Sequence, residues 1–191
     1  MSQVRHYERR KLTVQLKEET LRREEVYHGR IFCVERALVR LPNGKEGQRE
    51  VVRHPGAVAV LAWTDPETLL LVRQFRYAAG EELWEIPAGK LEPGEDPAVC
   101  AARELSEETG YAPGDLKELA RFYSSPGFSS EVLYLYEARG LRAGSGEKDD
   151  DEFLEVRRIP LKTALDWVAR GRVHDAKTLI ALLLAGRRNI A

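Results

Sequence analysis

One continuous apolar run and a second apolar-rich segment stand out in this chain. Ala57 to Trp63 ends at Asp65-Pro66, and Leu69 to Phe75 follows at once, so the pair predicts a hairpin of strands buried on both faces. Glu82 to Ile86 reads as a further short strand, after which Pro87-Ala88-Gly89 and Pro93-Gly94 predict a loop. Leu116 to Tyr123, Glu131 to Ala138 and Phe153 to Ile159 carry strand-like patterns, the last preceded by an irregular glycine-rich and acidic segment, Ala143 to Asp151. Upstream, between Glu24 and His54, short strand-like segments at Phe32 to Leu41 and Arg49 to His54 flank the turn signal Pro42-Asn43-Gly44. They predict a small antiparallel β unit.

A helical period begins at Asp96, which can cap a helix; Pro97 suits the first helical position, and Gly110 can take the left-handed conformation that ends it. Ala98, Ala101, Ala102, Leu105 and Thr109 share one narrow face of that helix, expected to pack on a sheet. A second helix follows Pro160. A third, Asp175 to Gly186, is expected to bury Leu179, Ile180, Leu182, Leu183 and Leu184. The order predicts an α/β fold with a mixed sheet between helical layers, divided into an N-terminal β unit over 1–54 and a main domain over 55–191. The N-terminal unit is too small to fold alone, and its Ile31, Phe32, Val34 and Val39 need an apolar surface, so a homodimer is expected.

Of 191 residues, 43% are hydrophobic and 32% charged, enough for one core, and 30 Lys and Arg against 31 Asp and Glu leave a formal charge of −1. No global attraction for nucleic acid or an anionic membrane follows, and neither is an expected partner. The N-terminus lacks the apolar core of a signal peptide and no apolar run is long enough to span a bilayer, so a cytoplasmic location is expected. Cys33 and Cys100 lack metal-ligand spacing and are expected to be buried free thiols.

The candidate chemistry lies in GKLEPGEDPAVCAARELSEETGY, where Glu104, Glu107 and Glu108 follow Glu92 and Glu95 of the preceding loop. At about 100° per residue, Glu104 and Glu108 are about 40° apart and project at the rim of the buried face. Two like charges one turn apart disfavour a helix unless a cation lies between them. Carboxylates, carbonyls and water are hard ligands that suit Mg²⁺, and Arg103 can hold a carboxylate by a forked pair of hydrogen bonds. The plainer alternative is a solvated helix face stabilised by pairs such as Arg103 with Glu107.

The spacing Gly89, five residues, Glu95, seven residues, then Arg103-Glu104-Leu105-Ser106-Glu107-Glu108-Thr109-Gly110 resembles the Nudix hydrolase box. Tyr111 departs from it, standing where that family has an aliphatic residue. The segments HGRIF, REVVRHPGAVAVL, LVRQFRYAAG, WEIPAGKLEPGE and SSPGFSSE extend the resemblance, from about Tyr27 to Glu152, to the subgroup of ADP-ribose pyrophosphatases. The resemblance implies a Nudix-type α/β/α sandwich. Glu104 and Glu108 then become metal ligands, completed by the carbonyl of Ala88 and by Glu107 or Glu95, for Mg²⁺ or alternatively Mn²⁺. Arg76 and Glu85, and less closely Glu92, match substrate-contacting positions, as does Ser125-Pro126-Gly127-Phe128; Ile31, Arg49 and Glu50 fall where the N-terminal unit lines an adenosine pocket across a dimer. The alternative for Arg76 and Glu85 is a cross-strand ion pair.

In the acidic loop, Glu152 matches the family's general base, with Asp150 and Asp151 as rivals and a solvated charge run as the alternative for all three. The expected reaction is attack of water on one phosphorus of ADP-ribose, giving AMP and ribose 5-phosphate, with Glu104, Glu108, Glu152 and Arg103 as the catalytic group. The competing expectations are another nucleoside diphosphate sugar or a dinucleotide, GDP-mannose or NADH, and a non-catalytic nucleotide-sensing module.

Overall fold

The computed structural model describes residues 15–144, 146 and 153–188. The chain opens with three strands, β1 (Glu19–His28), β2 (Cys33–Arg40) and β3 (Glu46–Arg53), paired in that order as a separate antiparallel sheet. Then come β4 (Ala57–Asp65), β5 (Thr68–Arg76), β6 (Glu81–Glu85), β7 (Ala88–Lys90), α1 (Pro97–Thr109), β8 (Tyr111–Ala112), β9 (Asp115–Tyr123), β10 (Val132–Arg139), β11 (Arg142–Ala143), β12 (Leu154–Pro160), α2 (Leu161–Ala169) and α3 (Ala176–Arg188). The main sheet runs β12-β5-β4-β10-β9, with β6 added to β5 and β7 to β4. It is mixed, because β4 and β10 are parallel while its other pairs are antiparallel.

The two-residue period of β4 explains the layers. Val58, Val60 and Ala62 point to one side, where they pack with Cys100, Ala101 and Leu105 of α1. Ala59, Leu61 and Trp63 point to the other, against Leu161 and Ala164 of α2 and Ala181, Leu182 and Ala185 of α3. Both faces are dry, which is why the strand reads as a continuous apolar run. The result is the expected α/β/α sandwich.

Several expectations need correction. First, β1 is a ten-residue strand where no element was expected; apart from half-buried Leu21 its side chains are exposed, so its sequence, ETLRREEVYH, has no apolar alternation to reveal it. Second, the loop after β6 contains β7, in which Ala88–Lys90 pair with Ala57 to Ala59. Third, the buried stripe of α1 comprises Cys100, Ala101, Glu104, Leu105 and Glu108, with Ala102 only half-buried. The helix is rotated relative to its apolar period, and that rotation carries two glutamates inward. In α3, Leu183 is 57% exposed, contrary to expectation, while Leu182 is fully buried.

The predicted ends of α1 are present. Asp96 Oδ1 accepts from the N–H groups of Ala98 (2.8 Å) and Val99 (3.3 Å), and Gly110, at φ 74°, donates its N–H to Ser106 O at 2.9 Å. The small sheet buries Ala37 and Val39 but leaves Ile31 52% and Phe32 39% exposed. It joins the main domain through β3, where Val52 N–H donates to Phe128 O (2.8 Å) and Ser130 N–H to Val52 O (2.9 Å). Cys33 is half-buried rather than buried; both cysteines are free.

Candidate active site

The site forms where α1 passes beneath the strand-loop from β6 to β7. Glu108, 2% exposed, accepts a hydrogen bond from Ala88 N–H at 3.1 Å, and Glu104, 9% exposed, lies against Gly89. A β-carbon on Gly89 would overlap the Glu104 carboxylate, so that carboxylate keeps its present position only beside a glycine. Glu104 and Glu108 therefore line the buried face itself, not its rim as expected.

Arg103 ties the surrounding carboxylates together. Its Nε and Nη2 donate to the two oxygens of Glu95 (3.0 and 3.1 Å), and Nη1 reaches Glu107 (2.8 Å) and Glu104 (2.9 Å). The Arg103 hydrogen bonds outweigh desolvation and, helped by the Glu92 N–H, hold the Glu95 carboxyl down to about 2; the same contacts raise Arg103. Behind them, burial and then the Glu95 carboxylate push the Cys100 thiol up to about 12, away from thiolate character. The Arg103–Glu107 pair of the plainer reading is present, but as one arm of this network. Tyr111 keeps its packing role beside the α1 core, with its hydroxyl accepting from Arg158 Nη2 at 2.7 Å.

Opposite lies a second charged group. Arg76 Nε and Nη2 grip the two oxygens of Glu85 at 2.7 and 2.8 Å, so the ion pair weighed as an alternative does form, and Glu85 is 1% exposed. Burial opposes ionisation of Glu85, but the Arg76 hydrogen bonds and the Lys177 charge prevail and leave its pKa lowered. Arg76 is raised by its Glu85 hydrogen bonds and, less strongly, by the charge of Glu108. Arg76 shares the lining of one cleft with Glu104 and Glu107 of α1.

Between the two groups is a cleft of about 550 Å³, lined by Arg76, Ala88, Gly89, Glu92, Arg103, Glu104 and Glu107, and reached by Ile31. A larger groove of about 760 Å³ runs between α2 and α3, but Leu161, Leu165 and Leu183 make it mainly apolar. The charged walls of the smaller cleft, not size, mark it as the site.

Other expected residues lie outside this cleft. Arg49, on exposed β3, pairs with Glu18, and Glu50 with Arg36 at 3.7 Å. Ser125, Pro126, Gly127 and Phe128 form the turn between β9 and β10 that receives β3. Glu152, Asp150 and Asp151 lie outside the described residues. Four polar or charged cleft residues went unnoticed in the sequence: Lys90, His54, Glu131 and Lys177. His54 Nδ1 accepts from Gly56 N–H at 3.1 Å and lies 3.6 Å from Glu131 Oε1. Only Lys177 carried a local signal, an Asp cap two residues earlier.

Among the described residues no three Asp, Glu, His or Cys side chains converge as a closed metal cage. A hard cation does not need one: Mg²⁺ keeps several waters and is commonly held by one or two carboxylates. Glu104 and Glu108, beside the main chain of Ala88 and Gly89, fit that donor set.

α1 thus turns the Glu104 and Glu108 carboxylates toward its own sheet, with Gly89 packed against Glu104, the arrangement that the Nudix resemblance implies. The chain belongs to the Nudix family: residues 52–182 match the NUDIX domain, and residues 18–52 match the nucleoside diphosphate sugar hydrolase N-terminal domain. It is 45% identical over 169 residues to the ADP-ribose pyrophosphatase of Bacillus subtilis (strain 168), covering 87% of this chain and 91% of that protein. It is 44% identical over 167 residues to the methanol dehydrogenase activator of Bacillus methanolicus (86% and 90% covered), and 36% identical over 150 residues to the GDP-mannose pyrophosphatase of Escherichia coli (strain K12) (70% and 78%). The crystal structure of an ADP compounds hydrolase superposes with a TM-score of 0.79 at 27% identity, covering 90% of this chain and 93% of that one. Nudix hydrolases generally use divalent metal ions.

Proposed function

We propose that this protein hydrolyses the pyrophosphate bond of ADP-ribose to AMP and ribose 5-phosphate. The observation that carries the reading is a single cleft lined by both the Glu104 carboxylate and the Arg76 guanidinium, with buried Glu108 hydrogen-bonded to Ala88 of the same lining. Likeness to an ADP-ribose pyrophosphatase through both the N-terminal unit and the main domain supports the choice of substrate.

Glu104 and Glu108 would hold the metal with the Ala88 carbonyl and Glu107; Glu95, with both oxygens on Arg103, is the weaker candidate and serves to orient that arginine. When bound, Mg²⁺ or Mn²⁺ supplies neutralisation of phosphate charge and a more acidic water. Arg76, oriented by Glu85, binds the diphosphate, with Glu92 and Ser125 to Phe128 as further substrate contacts. Glu152 takes the proton of the attacking water, with Asp150 and Asp151 as its rivals. The new P–O bond forms as the bridging oxygen leaves with the other phosphate, and the water's hydrogen and hydroxyl are shared between the two products.

The unit over 1–54 serves as the dimerisation element. Ile31 sits at its own chain's cleft, whereas exposed Arg49 and Glu50 lie away from it, as residues supplied to a partner's adenosine pocket would. Among the described residues no helix is long and apolar enough to cross a membrane. Two free thiols agree with a reducing cytoplasm.

The test is product identification with ADP-ribose, GDP-mannose, NADH and diadenosine polyphosphates in Mg²⁺. ADP-ribose should show the highest kcat/KM and yield AMP and ribose 5-phosphate; a higher kcat/KM for any other compound would overturn the assignment.

A further inference from the structure

The first turn of α3 reaches the cleft in a way the proposed mechanism does not use. Asp175 caps the helix, its Oδ2 accepting from Thr178 N–H at 2.9 Å and from the Thr178 hydroxyl at 2.5 Å. That hydroxyl also accepts from Ile86 N–H at 2.9 Å, pinning the helix start to the residue after Glu85. Lys177 is thereby placed with its ammonium on Glu85 Oε2, with Asp175 Oδ1 at 2.9 Å as its second partner, and its side chain is 11% exposed.

The Glu85 oxygen that Lys177 contacts is the one that Arg76 Nη2 also takes. A carboxylate on a free torsion would rotate and carry the forked guanidinium with it; a second cation on Oε2 fixes the carboxylate plane. Lys177 also balances charge. Arg76 and Lys177 against Glu85 and Asp175 sum to zero, whereas without the lysine the wall facing a dianionic substrate would be net negative. Buried ion pairs are weak contributors to stability compared with apolar replacements, so packing alone does not call for a lysine here.

We propose that Lys177 is a positioning residue for the diphosphate: acting through Glu85, it aims Arg76 into the cleft. The inference rests on the ADP-ribose reading above. Its test is a double-mutant cycle in steady-state hydrolysis of ADP-ribose with wild type, Lys177→Met, Arg76→Ala and the double variant. Lys177→Met should raise KM on the order of tenfold with kcat within about threefold of wild type, as expected for lost binding rather than lost chemistry. In the Arg76→Ala background the same substitution should add nothing to KM, a non-additivity that a purely structural role would not produce. Lys177→Arg, which keeps the charge, should recover part of the KM. An unchanged KM in Lys177→Met, or effects that add fully with Arg76→Ala, would overturn the inference while leaving the enzyme assignment intact. Absence of ADP-ribose hydrolysis by the wild type would overturn both. If Lys177→Met lacks a cooperative melting transition, Lys177→Gln takes its place in the cycle with the same expected directions.

Discussion

Glu108 shows how far one side chain can be read from sequence. Its spacing from Glu104 points to a metal pair, but its burial was not legible, because the apolar period of α1 centres on alanines and leaves the glutamates at the edge. The docking of α1 on β4 rotates the stripe, and that depends on a partner distant in sequence. Glu108→Gln keeps shape and removes charge, so turnover should fall by several powers of ten, each about 1.4 kcal/mol of barrier, with little change in melting temperature. Near-wild-type turnover would make the carboxylate structural. Gly89→Ala should reduce activity, because the new methyl displaces the Glu104 carboxylate, with a smaller effect on stability because only the end of one side chain has to move; kinetics and denaturant unfolding read the two effects separately. Glu95 carries the pH dependence. Its carboxyl is lowered in the folded state from 4.5 to about 2, so its pairing with Arg103 stabilises fully above about pH 4.5 and is lost as pH falls toward 2. The stability gap between wild type and Glu95→Gln should therefore close over that acid range.

Elements were readable to the extent that their own residues determine them. The ends of α1 lie in local chemistry, and they form as expected: Asp96→Ala should cost about 1 kcal/mol of unfolding free energy, and Gly110→Ala, at a left-handed backbone, about 1–2 kcal/mol. β4 and the first half of β5 were legible because burial on both faces leaves no polar alternation, whereas from Arg73 onward β5 emerges from the core and Phe75 is exposed. β1 and β7 were not legible, for opposite reasons. β1 is held by its ladder to β2 with almost no apolar contact, and β7 is three residues of a proline- and glycine-flanked loop that only β4 makes into a strand. Lys177 belongs with them: its helix was predicted from leucines, and nothing in that period says that the first turn meets Glu85.

For the whole molecule, the layer order and mixed sheet followed from the succession of strands and helices, whereas the relation of the small sheet to the rest did not. A homodimer that completes the cleft should sediment as such at assay concentrations, and removal of residues before His54 should lower both the association state and substrate affinity; a monomer with full affinity would refute it. Chelation should abolish turnover and Mg²⁺ or Mn²⁺ restore it. The position of β4 has a consequence for motion as well. Its alternate side chains belong to two separate apolar clusters, one under α1 and one under α2 and α3, so loosening either helical layer leaves the strand packed on its other side. Its backbone amides should then exchange with solvent only through unfolding of both layers together, and the residues from Val58 to Ala62 should be the last to take up deuterium, long after the helices that shelter the cleft.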